Sequence, residues 1–357
     1  MARRLPRSTR TSRAPHVDAL PVGAVAGRRG LADGEGVEVE VAYVWFLDHQ
    51  SEALMRIGIS VGSAFAPGDP REGPRTVIAQ VRAARDAGLD TLSIGDHHST
   101  GPGVYLQNTP MLGRLLAEWD DRPAGCLFLV PLWNPVLLAE HVGTLAAIAS
   151  GPFIVQAGLG GGGAQFRAMG IPIERRAALL AEGIGVVKAL LEGDAVSSTI
   201  FGIKDAKVAP VPTQGIEWWV GGGVATAIDR AARLGDCWYG NADLTPESAA
   251  SAIDMYSEAC ARHDRIPIRI PIRKDVLIAD SSAEAERAGD ALMAAGYRGF
   301  ERAAVAYGDP DGVAQQLAVF GELGFTDVIV RTMTTATDAA VHTVELAGEV
   351  QRRLAGR

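Results

Sequence analysis

Short runs rich in apolar residues alternate along the chain with longer segments in which apolar residues recur at helical spacing, from residue 55 to the C-terminus. Eight of the short runs have the length and composition of buried strands: residues 55–62, 90–96, 124–131, 152–158, 217–222, 236–241, 268–279 and 327–332. Runs with so few polar positions are typical of parallel strands that are covered on both faces. The pattern therefore predicts a parallel sheet of eight strands.

A helical segment follows each predicted strand. The clearest begins with Asn134, a favourable N-cap residue, and Pro135, which suits the first helical position, and its apolar pattern continues to Gly151. Repeated strand–helix units predict an α/β fold, and eight of them favour a closed (β/α)8 TIM barrel over an open, doubly wound sheet, which more often has about five to seven strands. We expect residues 194–214, which contain several prolines, to form an insertion after the fourth unit.

The first 54 residues have a different composition from the rest of the chain. Their arginines lie among Ser, Thr and Pro, and no apolar periodicity follows. The segment predicts a disordered tail, or a start codon placed upstream of the true start, for which Met55 is a candidate. A targeting peptide is the alternative, although a long apolar core before a small-residue cleavage site is missing. We therefore expect one barrel domain over residues 55–357.

Charge and cysteine content narrow the class of protein. The formal net charge of −8 argues against a protein that binds nucleic acid or an anionic membrane. No apolar run reaches the roughly 18 residues that a membrane-spanning helix needs. Cys126, Cys237 and Cys260 are far apart and form no CxxC motif, so neither a disulfide framework nor a zinc knuckle is expected. A reducing cytoplasm is the simplest compartment for such a chain.

In a barrel of this type, chemistry takes place in the loops that follow the strands. Asp96, His97 and His98 are consecutive after the second predicted strand. Histidine moves protons near neutral pH, and an adjacent carboxylate can fix its tautomer. A metal site like those of barrel hydrolases is the alternative. However, neighbouring strand residues point to opposite faces, and no further strand-end histidine completes a triad, so we expect no metal. Either histidine could also simply bond a backbone carbonyl.

Two glycine-rich loops follow the fourth and fifth predicted strands. Gly158 and Gly160 belong to a stretch of Gly and Ala that would let the backbone approach a flat ring or a phosphate closely. Gly221, Gly222 and Gly223 join a strand end directly to a helix N-terminus. Because free backbone N–H groups and the helix dipole favour an anion there, this turn predicts phosphate binding; a tight turn would need only one glycine.

Aromatic and polar residues complete the predicted rim. Trp133, after the third strand, would stack on an aromatic ligand or cap the core. Tyr105, Gln107 and Asn108 lie in the loop after the second strand, where they would contact a substrate or pack within the loop.

Five stretches, in this order and spacing, resemble the luciferase-like monooxygenase superfamily: residues 88–98, 135–160, 166–193, 218–239 and 307–331. The resemblance implies a barrel with an insertion, frequent homodimers, and reduced FMN or the deazaflavin coenzyme F420 bound at the C-terminal mouth. It implies that His97 lies beside the isoalloxazine ring as a proton donor or acceptor, preceded by Asp96. His98, Gly158 and Gly160 would contact the cofactor, and residues 221–223 would form its phosphate-binding turn.

Two positions bear on the choice of cofactor. Leu127 and Phe128 fall where some deazaflavin enzymes of the superfamily place a small polar residue and a non-prolyl cis bond. Leu127 is apolar, and the glycine-rich loop after the fourth strand lacks the acidic residue that some of these enzymes carry. Both departures favour FMN over F420.

The leading hypothesis is a flavin-dependent monooxygenase that uses reduced FMN, supplied by a separate flavin reductase, and O2 to oxygenate a small organic substrate. The first alternative is an F420-dependent reductase or dehydrogenase that transfers hydride without O2. A non-catalytic flavin-binding barrel and a metal-dependent hydrolase are further alternatives. The sequence does not identify the substrate, because the loops that contact it carry no fixed pattern.

Overall fold

A computed structural model describes residues 55–101 and 103–356. The segment 1–54, for which we predict a disordered tail or an upstream start codon, lies outside the described residues.

Strands are spread over the whole described chain. They are β1 (Arg56–Val61), β2 (Ala64–Phe65), β3 (Thr91–Ile94), β4 (Val104–Tyr105), β5 (Ala124–Leu129), β6 (Phe153–Gly158), β7 (Val196–Ser198), β8 (Ile203–Ala206), β9 (Ile216–Gly221), β10 (Cys237–Tyr239), β11 (Pro271–Ile278), β12 (Val305–Gly308) and β13 (Asp327–Thr332). Nine of them form one parallel sheet in the order β10–β9–β6–β5–β3–β1–β13–β11–β12. The prediction of an α/β fold with a parallel sheet is confirmed, and each of the eight predicted strands is present.

The sheet curls until β10 and β11 meet. Gly240, directly after β10, forms a parallel bridge with Ile272 of β11. The N–H of Gly240 donates to the Pro271 carbonyl at 2.8 Å, and the N–H of Arg273 donates to the Gly240 carbonyl at 3.1 Å. Eight strands thus follow one another in chain order around the curled sheet, as in a TIM barrel.

The ninth strand, β12, was not predicted. It pairs with the second half of β11, from Asp275 to Ile278, beyond the bridge to Gly240. Its four residues are directly followed by the helical pattern of α9, so no separate apolar run indicated a strand.

Helices alternate with the parallel strands. They are α1 (Glu72–Asp86), α2 (Asn108–Leu115), α3 (Pro135–Ile148), α4 (Gly163–Ala168), α5 (Arg176–Leu191), α6 (Ala225–Leu234), α7 (Pro246–Arg262), α8 (Ser282–Ala294), α9 (Pro310–Glu322) and α10 (Thr337–Ala355). Asn134 caps α3 as predicted, because its side-chain oxygen accepts from the N–H groups of Val136 at 2.9 Å and Leu137 at 3.3 Å. None of the helices within residues 55–101 and 103–356 is both long enough and apolar enough to cross a membrane.

The segment 194–214 contains an antiparallel pair, β7 with β8, between α5 and β9. That the segment is an insertion stays a prediction. A second antiparallel pair joins Ala64 of β2 to Tyr105 of β4. It carries Tyr105 towards the strand ends of the sheet, where its hydroxyl would lie 3.0 Å from a Cβ placed on Gly95.

The interior of the curled sheet is filled below its C-terminal end. Ile154, Trp219, Cys237 and Ile329, from four different strands, form a fully buried apolar cluster, and Tyr239 packs on it. This cluster closes the floor beneath the strand ends, so any cavity inside the sheet opens only towards the loops that follow the strands.

Candidate active site

A cavity of about 490 Å³ lies at the C-terminal ends of β5, β6, β9 and β10 and beside β11. Five predicted cofactor residues line it: Leu127, Gly158, Gly160, Gly221 and Gly222. Side chains that the sequence did not single out for a site also line it, among them Leu129, Arg273, Arg298 and Phe300. The cavity therefore joins the two predicted glycine loops to a charged wall that comes from β11 and the turn after α8.

The glycines open the cavity to different degrees. A Cβ on Gly221 would meet nothing nearer than 3.8 Å, and one on Gly161 would meet nothing within 4 Å. A Cβ on Gly222 would lie 2.4 Å from the Cβ of Ala227, and one on Gly223 would lie 2.7 Å from Nδ2 of Asn241. Gly222 is therefore required by close packing against Ala227, a side chain at Gly223 would displace the amide of Asn241, and Gly221 leaves room for a ligand to touch the backbone.

Asp96 ties the end of β3 to the loop after β5. Its buried Oδ2 accepts from the N–H of Leu129 at 2.8 Å and from Nε1–H of Trp133 at 2.9 Å. Its Oδ1 lies 3.3 Å from Nε2 of His98. The carboxylate thus faces the ring of His98, and it fixes the backbone of Leu129 in the cavity wall.

His98 connects this network to the glycine loop after β6. Its backbone N–H donates to Oε1 of buried Gln165 at 2.7 Å, and Nε2 of Gln165 donates to the Gly161 carbonyl at 3.3 Å. The Asp96 loop and the glycine loop are therefore held together through one side chain. Gln165 was missed by sequence analysis, and its place on the short helix α4 gives no signal for this role.

Two aromatic residues near Asp96, Trp133 and Phe128, pack against other side chains of the protein. Trp133 lies 5.7 Å from the rings of both His98 and His141 and 5.3 Å from Phe128, edge-on in each case. Phe128 is fully buried in the large core cluster. Trp133 is thus part of the wall that supports Asp96, and the Phe128 side chain packs in the core.

His97 is the exposed member of the pair. Its ring centroid lies 5.7 Å from that of Tyr105, and its carbonyl accepts from Nε2 of Gln107 at 3.1 Å. Partial desolvation of the ring lowers the pKa of His97, against the opposing charge of Asp96. The imidazole is therefore mainly neutral at pH 7 and able to accept a proton. Asp96, His97 and His98 are not among the described residues that line the cavity.

The three predicted substrate residues divide into two groups. Asn108 is fully buried, and its Nδ2 donates to the Leu127 carbonyl at 2.6 Å, which places it in loop packing. Gln107 is likewise bonded to the backbone of His97. Tyr105 instead lies near the charges of Arg331 and Arg273, and burial, more than any charge, raises the pKa of its hydroxyl.

A polar cluster lies on β10 and β11. The sequence places Tyr239 and Asn241 at the rim after the sixth strand, and both line the cavity, whereas Arg273 and Asp275 were missed by sequence analysis. Arg273 and Tyr239 line the cavity, and Asp275 lies fully buried beside them. Within the described residues the Tyr239 hydroxyl has no hydrogen-bond partner, and burial raises its pKa far above the usual range. Three consecutive charged residues, 273–275, inside a strand of a buried sheet were the available signal, because buried charges concentrate at functional sites.

The part of the chain that the structure describes contains no group of three or more His, Cys, Asp or Glu side chains arranged to hold a metal ion.

Three comparisons place these features among known proteins. The family model described as luciferase-like monooxygenase matches residues 55–304. The F420-dependent glucose-6-phosphate dehydrogenase of Beutenbergia cavernae is 25% identical over 331 residues, which cover 80% of this chain and 94% of that protein.

Solved structures show the same fold. The monooxygenase RslO1 from Streptomyces bottropensis superposes with a TM-score of 0.70 at 20% identity, over 83% of this chain and 98% of that one. The oxygenating constituent of 3,6-diketocamphane monooxygenase from Pseudomonas putida, in complex with FMN, gives a TM-score of 0.69 at 16% identity, over 83% and 97%. At these identities the likeness concerns the fold alone.

Proposed function

The chain belongs to the luciferase-like monooxygenase family, whose members are oxidoreductases, and from this premise we propose that it is a monooxygenase that uses reduced FMN and O2 on a small organic substrate. The observation that carries the proposal is the open glycine wall of the cavity. Gly221 and Gly161 leave space where any side chain would project, and this space lies between the ends of neighbouring strands β6 and β9.

The cavity has the surfaces that a flavin needs. Leu127 and Leu129 offer an apolar face for a flat ring, and they line the same cavity as the open glycine backbone. The turn at residues 221–223 leads into α6, whose N-cap residue Val224 makes no side-chain hydrogen bond to the helix. Its first backbone N–H groups would hold the phosphate of FMN.

The chemistry divides between cofactor and protein. When bound, reduced FMN would supply the two electrons needed for one atom of O2 to enter the substrate and the other to leave as water. A ring nitrogen of His97 would accept a proton in this reaction, since its imidazole is mainly neutral at pH 7. Asp96 acts as a positioning residue through His98 and Leu129, and Leu127 and Leu129 exclude water.

Hydride transfer with coenzyme F420 is the second candidate. It is favoured by the relative from Beutenbergia cavernae, whose name describes F420-dependent dehydrogenation of glucose 6-phosphate. In that case His97 would exchange a proton with a substrate hydroxyl or carbonyl, and O2 would take no part. The apolar side chain at Leu127 favours FMN. With FMN, a separate flavin reductase would supply the reduced cofactor, and a homodimer is the expected assembly.

An anaerobic titration of the full chain with reduced FMN, and in parallel with reduced F420, tests the proposal. We expect tight binding of reduced FMN and fast reoxidation when O2 is added. Preference for F420 without reaction with O2 would move the assignment to a hydride-transferring dehydrogenase, and binding of neither would overturn both.

A matched pair of variants shows where the cofactor binds. Gly221→Leu fills the open wall and should weaken cofactor binding at least about 10-fold, because the side chain occupies the ligand's space. Gly185→Ala, on the exposed face of α5 where a Cβ meets nothing within 4 Å, should leave binding unchanged. Equal affinity in the two variants would place the cofactor elsewhere.

A further inference from the structure

A fully buried carboxylate organises the β11 side of the cavity. Oδ2 of Asp275 accepts from the hydroxyl of Tyr297 at 2.9 Å and from Nη1 of Arg298 at 3.2 Å. Its Oδ1 lies 3.5 Å from Nε of Arg273, which is too long for a hydrogen bond, and neither atom has another partner among the described residues. Asp275 therefore gathers two guanidinium groups but satisfies neither completely.

The cluster carries more positive than negative charge. Arg331, on β13, adds a third guanidinium whose charge acts on Arg298, Tyr297 and Tyr239. Within residues 55–101 and 103–356, no carboxylate lies within 4 Å of Arg331. Asp275 thus pairs with two of the three guanidinium groups, and Asp243 is a second carboxylate on the cavity wall, so one positive charge is in excess. Burial, and then the repulsion of Arg273 and Arg331, lower the pKa of Arg298 in spite of Asp275.

The excess charge faces the cavity. Arg273 and Arg298 both line it, together with Tyr239, whose buried hydroxyl has no partner within the described residues. Buried polar groups in native proteins are almost always hydrogen-bonded, so unsatisfied groups of two kinds on one cavity wall indicate a ligand that bonds them.

The backbone of Arg298 has a strained conformation that directs its side chain towards the cavity. Arg298 has φ +50° and ψ 8°, a left-handed conformation that a residue with a side chain rarely adopts, between Gly296 at φ +79° and Gly299 at φ +70°. The turn after α8 bends so that Arg298 reaches Asp275 and the cavity, with its guanidinium 4.9 Å from the Phe300 ring. Such strain persists mainly where function requires the conformation.

We propose, on the basis of the proposed function, that the substrate carries an anionic group, a carboxylate or a phosphate, and that Arg273 and Arg298 bind it at the β11 end of the cavity. Planar guanidinium groups recognise such oxyanions through paired N–H donors. The anion offsets the excess charge, and the hydroxyl of Tyr239 donates to the same ligand. This end lies two strands from the glycine turn after β9, up to about 10 Å away, so it is separate from the place assigned to the cofactor phosphate.

Titration of the FMN-loaded full chain with inorganic phosphate, and separately with acetate, at constant ionic strength tests the assignment. We expect saturable binding that changes the flavin fluorescence. Arg298→Met should raise the Kd for phosphate about 10-fold or more, because it removes a charge-assisted hydrogen bond. Arg298→Lys keeps the charge but lacks the planar guanidinium group. Its Kd for phosphate should therefore lie between those of the wild type and Arg298→Met. Arg262→Met, on the surface of α7, is the control and should bind phosphate like the wild type.

Three results would overturn the assignment: equal phosphate affinity in wild type and Arg298→Met, no saturable binding at all, or loss of affinity for FMN but not for riboflavin in Arg298→Met. The last would show that the arginines hold the cofactor phosphate. If the chain binds no flavin, the titration is read by calorimetry on the cofactor-free protein. Phosphate binding that depends on Arg298 would then support the anion site while the proposed function fails.

Discussion

The two ends of the barrel interior hold charged clusters of opposite design. At the N-terminal end of the strands, Nε of Arg269 lies 2.9 Å from Oε1 of Glu217, and Nη2 of Arg56 lies 2.9 Å from Oδ2 of Asp327. Two guanidinium groups meet two carboxylates there. At the C-terminal end, three guanidinium groups face two carboxylates, and Asp275 pairs with Arg273 and Arg298.

We call the cluster at the N-terminal end of the strands the lower cluster and the one at the C-terminal end the upper cluster. The lower cluster serves stability, and the upper cluster is suited to bind a ligand. In the lower cluster, Oε1 of Glu217 also accepts from Nε1–H of Trp219 at 2.6 Å and from the thiol of Cys237 at 3.4 Å, and two guanidinium groups balance two carboxylates. Each cluster holds one loose ion pair without a hydrogen bond among the described residues, Arg269 with Asp327 in the lower and Arg273 with Asp275 in the upper. The upper cluster differs in its excess of positive charge and in the hydroxyl of Tyr239, which has no partner among the described residues. In barrels of this type, the N-terminal face serves stability and the C-terminal face serves chemistry.

The largest expected effect breaks the lower cluster. Asp327 is 1% exposed, and Asp327→Asn leaves Arg56 and Arg269 without their shared carboxylate. We expect the free energy of unfolding, measured by urea denaturation, to fall by about 3 kcal/mol, as when one partner of a buried ion pair is removed. Asp229→Asn breaks only surface pairs, with Arg262 and His263, and should change stability little. A similar result for both variants would show that the lower cluster has no structural role.

Replacing an exposed residue at the C-terminal end of the barrel should lower activity and leave stability nearly unchanged. His97→Ala should lower turnover by about 100-fold, the usual contribution of a general acid or base, and leave cofactor affinity nearly intact. Stability should change by less than about 0.5 kcal/mol, since the side chain is exposed. The control is His342→Ala on α10, also exposed and remote from the cavity.

The pH profile sharpens this prediction. The pKa of His97 lies below its ordinary value of 6.5, so a neutral imidazole that acts as base loses activity only as pH falls below that value. We expect the acid limb of kcat/KM to lie below pH 6.5 and to disappear in His97→Ala. Unchanged turnover in the variant would remove His97 from the mechanism.

The fold was more predictable from sequence than the site. Local sequence properties determine the strand and helix patterns, the Asn134 cap and the eight repeated units. The structure contains all of these features. The glycines at positions 158, 160, 221 and 222 line the cavity, as expected for residues at or just after the ends of predicted strands, because barrel loops gather at one end.

The rest of the site depends on contacts between distant parts of the chain. Arg298 reaches Asp275 from a turn whose left-handed backbone no sequence pattern indicates. The partner of Asp96 is His98, and the order of the residues along the chain does not indicate which of the two histidines it faces. Asn108 is chemically suited to bind substrate, but the structure uses it to hold the carbonyl of Leu127.

Lys274 is a buried charged residue of β11 whose side chain points out of the barrel. The pH dependence of stability shows whether its charge is desolvated there. Its ammonium donates to the carbonyls of Leu244 at 2.6 Å and Ala242 at 3.3 Å and lies 4.6 Å from the Phe320 ring. Burial lowers its pKa to about 8. Because the folded pKa lies below the unfolded one, its desolvation destabilises the protein fully below pH 8 and progressively less as pH rises to 10.5.

The wild type should therefore gain stability relative to Lys274→Met between pH 8 and pH 10, by about 1 kcal/mol per pH unit. Urea denaturation at pH 7, 8, 9 and 10 would measure the difference. A constant difference across this range would mean that Lys274 has an ordinary pKa and is not desolvated in solution.

The smallest expected change in stability is that of a Tyr239 variant, and it tests the comparison between the two ends of the barrel most directly. Tyr239 is a buried residue of the upper cluster whose hydroxyl has no partner within the described residues. Tyr239→Phe should leave the free energy of unfolding unchanged or raise it by up to about 1 kcal/mol, because it removes an unsatisfied polar group and keeps the ring. If the hydroxyl bonds the substrate anion, the same variant should weaken phosphate binding several-fold, in the range of one lost hydrogen bond. A clear loss of stability would show that the hydroxyl is already bonded inside the protein, and the upper end would then resemble the lower one.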